Sequence, residues 1–302
     1  MPYHTPTRTS THRRRSSRSW SSRVLAAGVA VLTAVGLGAA VTPAAQADGR
    51  NIVTLGDSFS SNPDQVRNTL RGVPGPIGDW ANDYPQTAGC LQAPNNFPAK
   101  LGRSTGRPVD DYSCTATTSG SMMHRLNQAI GAGAVRNDST VVIAVGMNDY
   151  GLFGAVDNRT NILDPRHVAA VYRANMQRAA DRIRSVAPDA RIVVSGALPT
   201  VDRATSTFCA VNVVPDLPAG VPVPHLRDVE NWNRDNQRAA ARDIGATYVE
   251  VMDGARGHDT CAPDRDRYVA GIIDTTTPDY TMMFHPSANG SRYLADTVAP
   301  HV

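Results

Sequence analysis

The chain has 302 residues, 41% of them hydrophobic and 19% charged, which excludes a disordered tail and leaves room for one large domain or two small ones. Its net charge of +3 comes from residues 1–47, which hold six arginines and no acid; the remainder sets 24 basic residues against 27 acidic ones and gives no argument for nucleic-acid binding. Lys100 is the only lysine, so a lysine-based mechanism is nearly excluded.

At the start of the chain, Arg8, Arg13, Arg14, Arg15, Arg18 and Arg23 precede an apolar run over 24–41, and then come Pro43 and Ala45-Gln46-Ala47. A basic segment, an apolar segment and a small-x-small site read together as a secretory leader, 1–47, with the mature chain starting at Asp48. A membrane anchor is the rival, since the run approaches the ~20 residues of a span. Its Ala and Gly content makes it only weakly hydrophobic, however, and the cleavage pattern stands where a leader needs it. Arg13-Arg14 suggests twin-arginine export, but Arg15-Ser16-Ser17 fits that signal poorly, so the export route stays open. The expected product is exported, extracellular or in the cell envelope, with no stable membrane anchor.

Residues 51–55 read as a short buried strand and 61–95 as a long loop rich in Pro, Gly, Asn and Asp. A short helix over 97–102, a strand over 109–113 and a helix over 121–130 follow, the last with Met122, Leu126 and Ile130 on one face. The run 140–145 is the strongest buried-strand signal. Asp164-Pro165 opens a long helix to 186, 191–195 is a strand, 226–244 a helix, 247–251 a strand, and a terminal helix follows Pro286. Short apolar strands alternating with helices predict a parallel sheet covered on both faces, a three-layer α/β/α sandwich in a single domain over 48–302. The loops 61–95, 200–224 and 253–280 exceed the usual ~4–6 residues, and a binding cleft is built from such loops. Four cysteines in an exported chain predict two disulfides; three pairings exist, and Cys90–Cys114 with Cys209–Cys261 would each staple a long loop.

Three segments carry reactive groups at the carboxyl ends of strands, where open α/β sheets bind ligands. Gly56-Asp57-Ser58 follows the first strand, Gly146-Met147-Asn148-Asp149 follows the strongest one, and His285-Pro286 precedes the last helix. Singly they have plain structural readings: a helix cap, an Asx turn and a surface-loop histidine. In this order and strand context they resemble the SGNH, or GDSL, hydrolase family, from Val53 to about Gly290. The resemblance implies a flavodoxin-like, SGNH-type sheet. It further implies Ser58 as nucleophile, His285 as general base, and an oxyanion hole from the Ser58 N–H, the Asn148 amide and one further N–H.

Two positions depart from the family pattern. Its acid three residues before the histidine is replaced by Met282, so the Met282 main-chain oxygen is expected to orient His285, with Asp279 as the fallback acid. Its glycine after the second strand is replaced by Ala116, following Cys114-Thr115; Ala116 serves if its backbone avoids positive φ, and Gly120 is the other candidate. Two decoys are set aside. Gly102-Arg103-Ser104-Thr105-Gly106 matches a nucleophile elbow but lies after a helix and before a strand, the reverse of what that motif requires. His258, Asp259, Cys261, Asp264 and Asp266 lack the spacing of a zinc or EF-hand site, so no metal is expected. The expected activity is that of a monomeric, cofactor-free serine esterase or lipase acting on a lipid or acylated carbohydrate. An acyltransferase with the same site and a degenerate envelope-binding protein are the alternatives. Trp80, Tyr84, Phe97 and Tyr150 are expected near the mouth of the site.

Overall fold

The computed structural model describes residues 50–302; the expected leader and its boundary at 47 lie outside the described residues. Five strands form the central sheet: β1 (Ile52–Gly56), β2 (Val109–Asp111), β3 (Thr140–Ala144), β4 (Arg191–Ser195) and β5 (Thr247–Val249). They run parallel in the order β2-β1-β3-β4-β5. The main helices are α1 (Phe97–Thr105), α2 (Met122–Gly131), α3 (Pro165–Val186), α4 (Pro224–Asp243) and α5 (Ala288–Val298).

Side chains alternate across a strand, and both faces of this sheet are apolar. Val53, Leu55, Val141, Ile143 and Val194 pack under α2, α3 and α4, against Met122, Leu126, Tyr172, Met176 and Ile183. Ile52, Val142 and Val193 point the other way, against Phe97 and Leu101 of α1 and Leu294 and Val298 of α5. Complete burial of each such side chain contributes roughly 1.5–3 kcal/mol. The expected three-layer sandwich is therefore the observed one.

Local chemistry sets the helix starts. Asp164 accepts from the N–H groups of Arg166 and His167 at 3.0 and 3.4 Å, with Pro165 in the first turn of α3. Pro224 starts α4 two residues earlier than expected, and Ser287 caps α5 by accepting from Gly290 N–H at 3.2 Å. Helix α1 extends to Thr105, so Ser104 lies in its last turn rather than in a loop, donating to Asp296 at 2.9 Å.

The three long loops are not irregular throughout. Within 61–95, Asp64 caps a helix Gln65–Leu70, Gly75-Pro76 starts a helix Pro76–Asn82, and Gln86–Thr87 pairs with Cys90–Leu91. Thr207–Asn212 pairs with Ala219–Pro222 and Ile273–Asp274 in a small second sheet. Arg267, fully buried, ties 262–277 together: it donates to the Ala262 carbonyl at 2.9 Å and to Thr277 at 2.8 Å, and pairs with Asp264 at 2.9 Å. These short elements rest on isolated caps and one buried arginine, not on a periodic apolar pattern. Both disulfides form as expected, Cys90–Cys114 and Cys209–Cys261.

Candidate active site

The strand order reverses direction between β1 and β3, and their carboxyl ends open onto one groove of about 490 Å³. Ser58, Ala116, Asn148 and His285 all line it. Ser58 begins the short helix Ser58–Ser61, which Asp57 caps by accepting from Phe59 N–H at 2.9 Å. The turn is too tight for a side chain at Gly56, whose Cβ would fall 2.2 Å from Ser60 Oγ. The main chain of Asp57 is itself tied to β3, donating to the Ala144 carbonyl at 3.3 Å.

Asn148 sits on a one-turn 3-10 helix, Met147–Tyr150, and one amide hydrogen goes to the Thr117 carbonyl at 3.0 Å. An amide nitrogen carries two hydrogens, so the other is left for a ligand in the groove. Asp149 is the residue beneath this arrangement that the sequence reading passed over. Its carboxylate accepts from Ser119 Oγ, from Ser119 N–H at 2.9 Å and from Asn158 at 2.7 Å, tying the loop after β2 to the Asn148 turn. Burial raises its pKa to about 6; burial likewise raises Asp57 to about 7, with the neighbouring Asp149 adding to it.

Ala116 takes φ +64°, so the condition that its backbone avoid positive φ is not met; the N–H is retained all the same, because the left-handed turn costs an alanine strain and not its donor. The turn that follows Cys114 demands this φ: Thr117 N–H returns to the Cys114 carbonyl at 3.3 Å, and Cys114 N–H donates to Gly56 at 3.0 Å. Gly120 does not line the groove; a Cβ there would meet Asn158 Oδ1 at 2.0 Å, so that glycine serves packing.

The base loop corrects a second expectation. His285 Nδ1 lies 2.7 Å from the carbonyl of Met283, not Met282, whose side chain is buried. Phe284 at φ +59° turns the chain back so that the i−2 oxygen meets the ring. A carbonyl only accepts, so Nδ1 carries the proton and Nε2 presents its lone pair. Nε2 is buried and has no hydrogen-bond partner among the described residues, Ser58 Oγ included. Apo catalytic bonds are often open in this way. Burial lowers the imidazole to a pKa of about 4, against the pull of the Met283 carbonyl. Asp279 makes no ion pair or hydrogen bond with His285; its side chain lines a different cleft.

Asn62, which ends the Ser58–Ser61 helix, joins the two halves of the groove. Its Nδ2 donates to the Pro286 carbonyl at 2.8 Å, and its own carbonyl accepts from Thr281 Oγ1 at 2.8 Å. Phe59 packs on the His285 ring at 5.1 Å, and Phe208, beside the Cys209 disulfide, packs edge-on against Phe284 at 5.1 Å. None of the four aromatics expected at the mouth lines the groove. Phe97 is core, Trp80 lies against Arg67, Tyr84 faces the other cleft and Tyr150 stacks on Trp232. Phe153, Ile272, Met282, Met283 and Phe284 form the apolar wall instead. The acidic stretch around Cys261 is spent on structure: Cys261 is in a disulfide, Asp264 pairs with Arg267, and His258 stacks on Tyr268 at 4.2 Å.

A flavodoxin-like sheet with Ser58, Asn148 and His285 lining one groove at its switch point is an arrangement suited to ester hydrolysis. The sequence matches the GDSL-like lipase/acylhydrolase family model over residues 54–293, and the chain belongs to that family. It is 27% identical to Lipase 2 of Streptomyces coelicolor over 91% of this chain and 95% of that one. In fold it is similar to the extracellular lipase of Streptomyces rimosus, with TM-score 0.54, 19% identity, and 84% of this chain covering 100% of that one. Phospholipase A1 of Streptomyces albidoflavus is similar to the same degree, with TM-score 0.54, 17% identity, and 84% and 99% covered. The chain is a carboxylic ester hydrolase.

Proposed function

We propose that the chain hydrolyses esters through an acyl-enzyme on Ser58. His285 Nε2 takes the Ser58 proton as Oγ bonds to the ester carbonyl carbon. The oxyanion is held by the N–H groups of Ser58 and Ala116 and by the Asn148 amide. As the intermediate collapses, the ester C–O bond breaks and the alcohol leaves with the proton from His285. Water then attacks the acyl carbon as His285 takes its proton; the acyl–Oγ bond breaks, His285 returns the proton to Ser58 Oγ, and the carboxylic acid departs. The observation that carries this reading is the meeting of Ser58, Ala116, Asn148 and His285 in one groove. The apolar wall of Phe153, Ile272, Met282 and Met283 offers the acyl chain a surface, which favours a lipid ester over an acetylated sugar.

Export is part of the same proposal: both disulfides need an oxidising compartment, and a similar fold belongs to an extracellular lipase. The test is a pair of variants. Ser58→Ala should abolish hydrolysis and fluorophosphonate labelling, and Ser104→Ala should leave both near wild type. A dead Ser104 variant with an active Ser58 variant would sink the assignment.

A further inference from the structure

On the far side of the Thr281–Met282 segment from the ester groove lies a second, larger cleft of about 900 Å³. Thr281 lines this cleft and Met282 lines the groove, so the two share a wall. Lys100 and Arg103 of α1 and Arg292 of α5 face the cleft, with Asp279 the only acid among its lining residues. Among the described residues none of the three cations makes an ion pair. Partial burial, then Arg292 and Arg103, hold the Lys100 ammonium below its ordinary pKa. Lys100 thus feels both arginines, only partly countered by Asp296 and Asp279, and an incoming anion would relieve it.

Two buried polar atoms in the same lining lack partners among the described residues: Ser291 Oγ, on a residue 1% exposed, and Asn62 Oδ1, on a residue 5% exposed. An orphaned buried polar atom costs about 1–3 kcal/mol, which a bound ligand would offset. We infer that this cleft binds a phosphate ester that carries a neighbouring hydroxyl, at a site separate from the ester groove. The cations and the Ser291 hydroxyl donate to phosphate oxygens. Asn62 Oδ1 only accepts, as does the Asp279 carboxylate, and both suit a hydroxyl beside the phosphate. A glycerophosphate has that pattern, whether free in solution or as a lipid headgroup.

Lys100 being the sole lysine supplies the probe. Reductive ¹³C-dimethylation of the mature protein keeps its charge and gives one side-chain NMR signal. Glycerol 3-phosphate should shift that signal saturably, and potassium chloride at matched ionic strength should not. Arg292→Gln and Ser291→Ala should each weaken binding roughly tenfold while leaving hydrolysis of an uncharged short-chain ester unchanged. Saturable binding of free glycerol 3-phosphate supports the site with a soluble ligand. Sedimentation with phosphatidylglycerol but not phosphatidylcholine vesicles, lost in Arg292→Gln, supports it with a lipid headgroup as the source. A shift that only follows ionic strength in the absence of vesicle binding, or binding that survives both substitutions, overturns it. Because the readout is binding, loss of this site and loss of the Ser58 mechanism are told apart.

Discussion

With His285 as the proposed base, a main-chain oxygen stands where a triad would have a carboxylate, and that has a kinetic signature. A carboxylate would hold the imidazolium; the Met283 carbonyl supplies only a partial charge, and burial brings the ring to a pKa of about 4. The acid limb of kcat/KM should therefore fall near pH 4, well below the ~6.5 of a free imidazole. Asp279→Asn should leave that profile in place. A loss of several thousand-fold in Asp279→Asn, with the fold intact, would reveal an ordinary triad. Ala116 invites a different substitution. The left-handed conformation costs an alanine about 1–2 kcal/mol, whereas glycine's extra freedom in the unfolded chain costs roughly 0.5–1 kcal/mol. Ala116→Gly should then keep its N–H and its activity and gain between zero and about 1.5 kcal/mol, measured by urea unfolding. Loss of stability would mean that the alanine methyl is packed more tightly than its half-exposed position indicates.

Among the elements, the two disulfides support different halves of the groove. Cys90–Cys114, separated by 24 residues, precedes the Ala116 turn; Cys209–Cys261, separated by 52, holds the strand whose Phe208 packs on Phe284. By loop closure their removal should cost about 3.5 and about 4 kcal/mol, read as the shift in guanidinium midpoint for each Cys-to-Ser pair. Losses under about 1 kcal/mol would show that the loops are ordered without them. The small second sheet and Arg267 already do part of that ordering, and neither was legible in the sequence. The inner strands were legible because burial on both faces leaves apolar runs such as 140–144; the edge strand Val109–Asp111, with two aspartates, carries no such run. Ser58, Asn148 and His285 were legible because each stands at a strand end or a helix entrance. The Met283 contact was not, because it turns on one backbone angle, φ +59° at Phe284, which no spacing encodes. Asn62 was hidden for another reason: its partner is 224 residues away.

For the molecule as a whole, carboxyls raised by burial set an unusual pH dependence; Asp111 and Asp259 shift in the same direction as the three most strongly raised. Burial raises Asp57 to about 7, Asp149 to about 6 and Glu230 to about 7. Each folded carboxyl keeps its proton where the unfolded one, near 4, has lost it, so stability falls as pH rises through that window. His285, depressed to about 4, acts oppositely: its folded form stays neutral where the unfolded ring is protonated, and stability is lost as pH falls from 6.5 towards 4. Three groups outweigh one, so Tm should be higher at pH 5.0 than at pH 7.5, and Glu230→Gln should flatten the difference without touching the groove. A Tm that falls on acidification over that range would refute this balance. The bond from Asn62 to Pro286 has a consequence of another kind, for synthesis. With 224 residues between its ends, the ribosome at roughly 5–20 residues per second needs about ten to fifty seconds to make the second half of the site after the first has emerged. Through that interval Ser58 exists without His285, so on the mechanism proposed above the nascent chain cannot yet attack an ester.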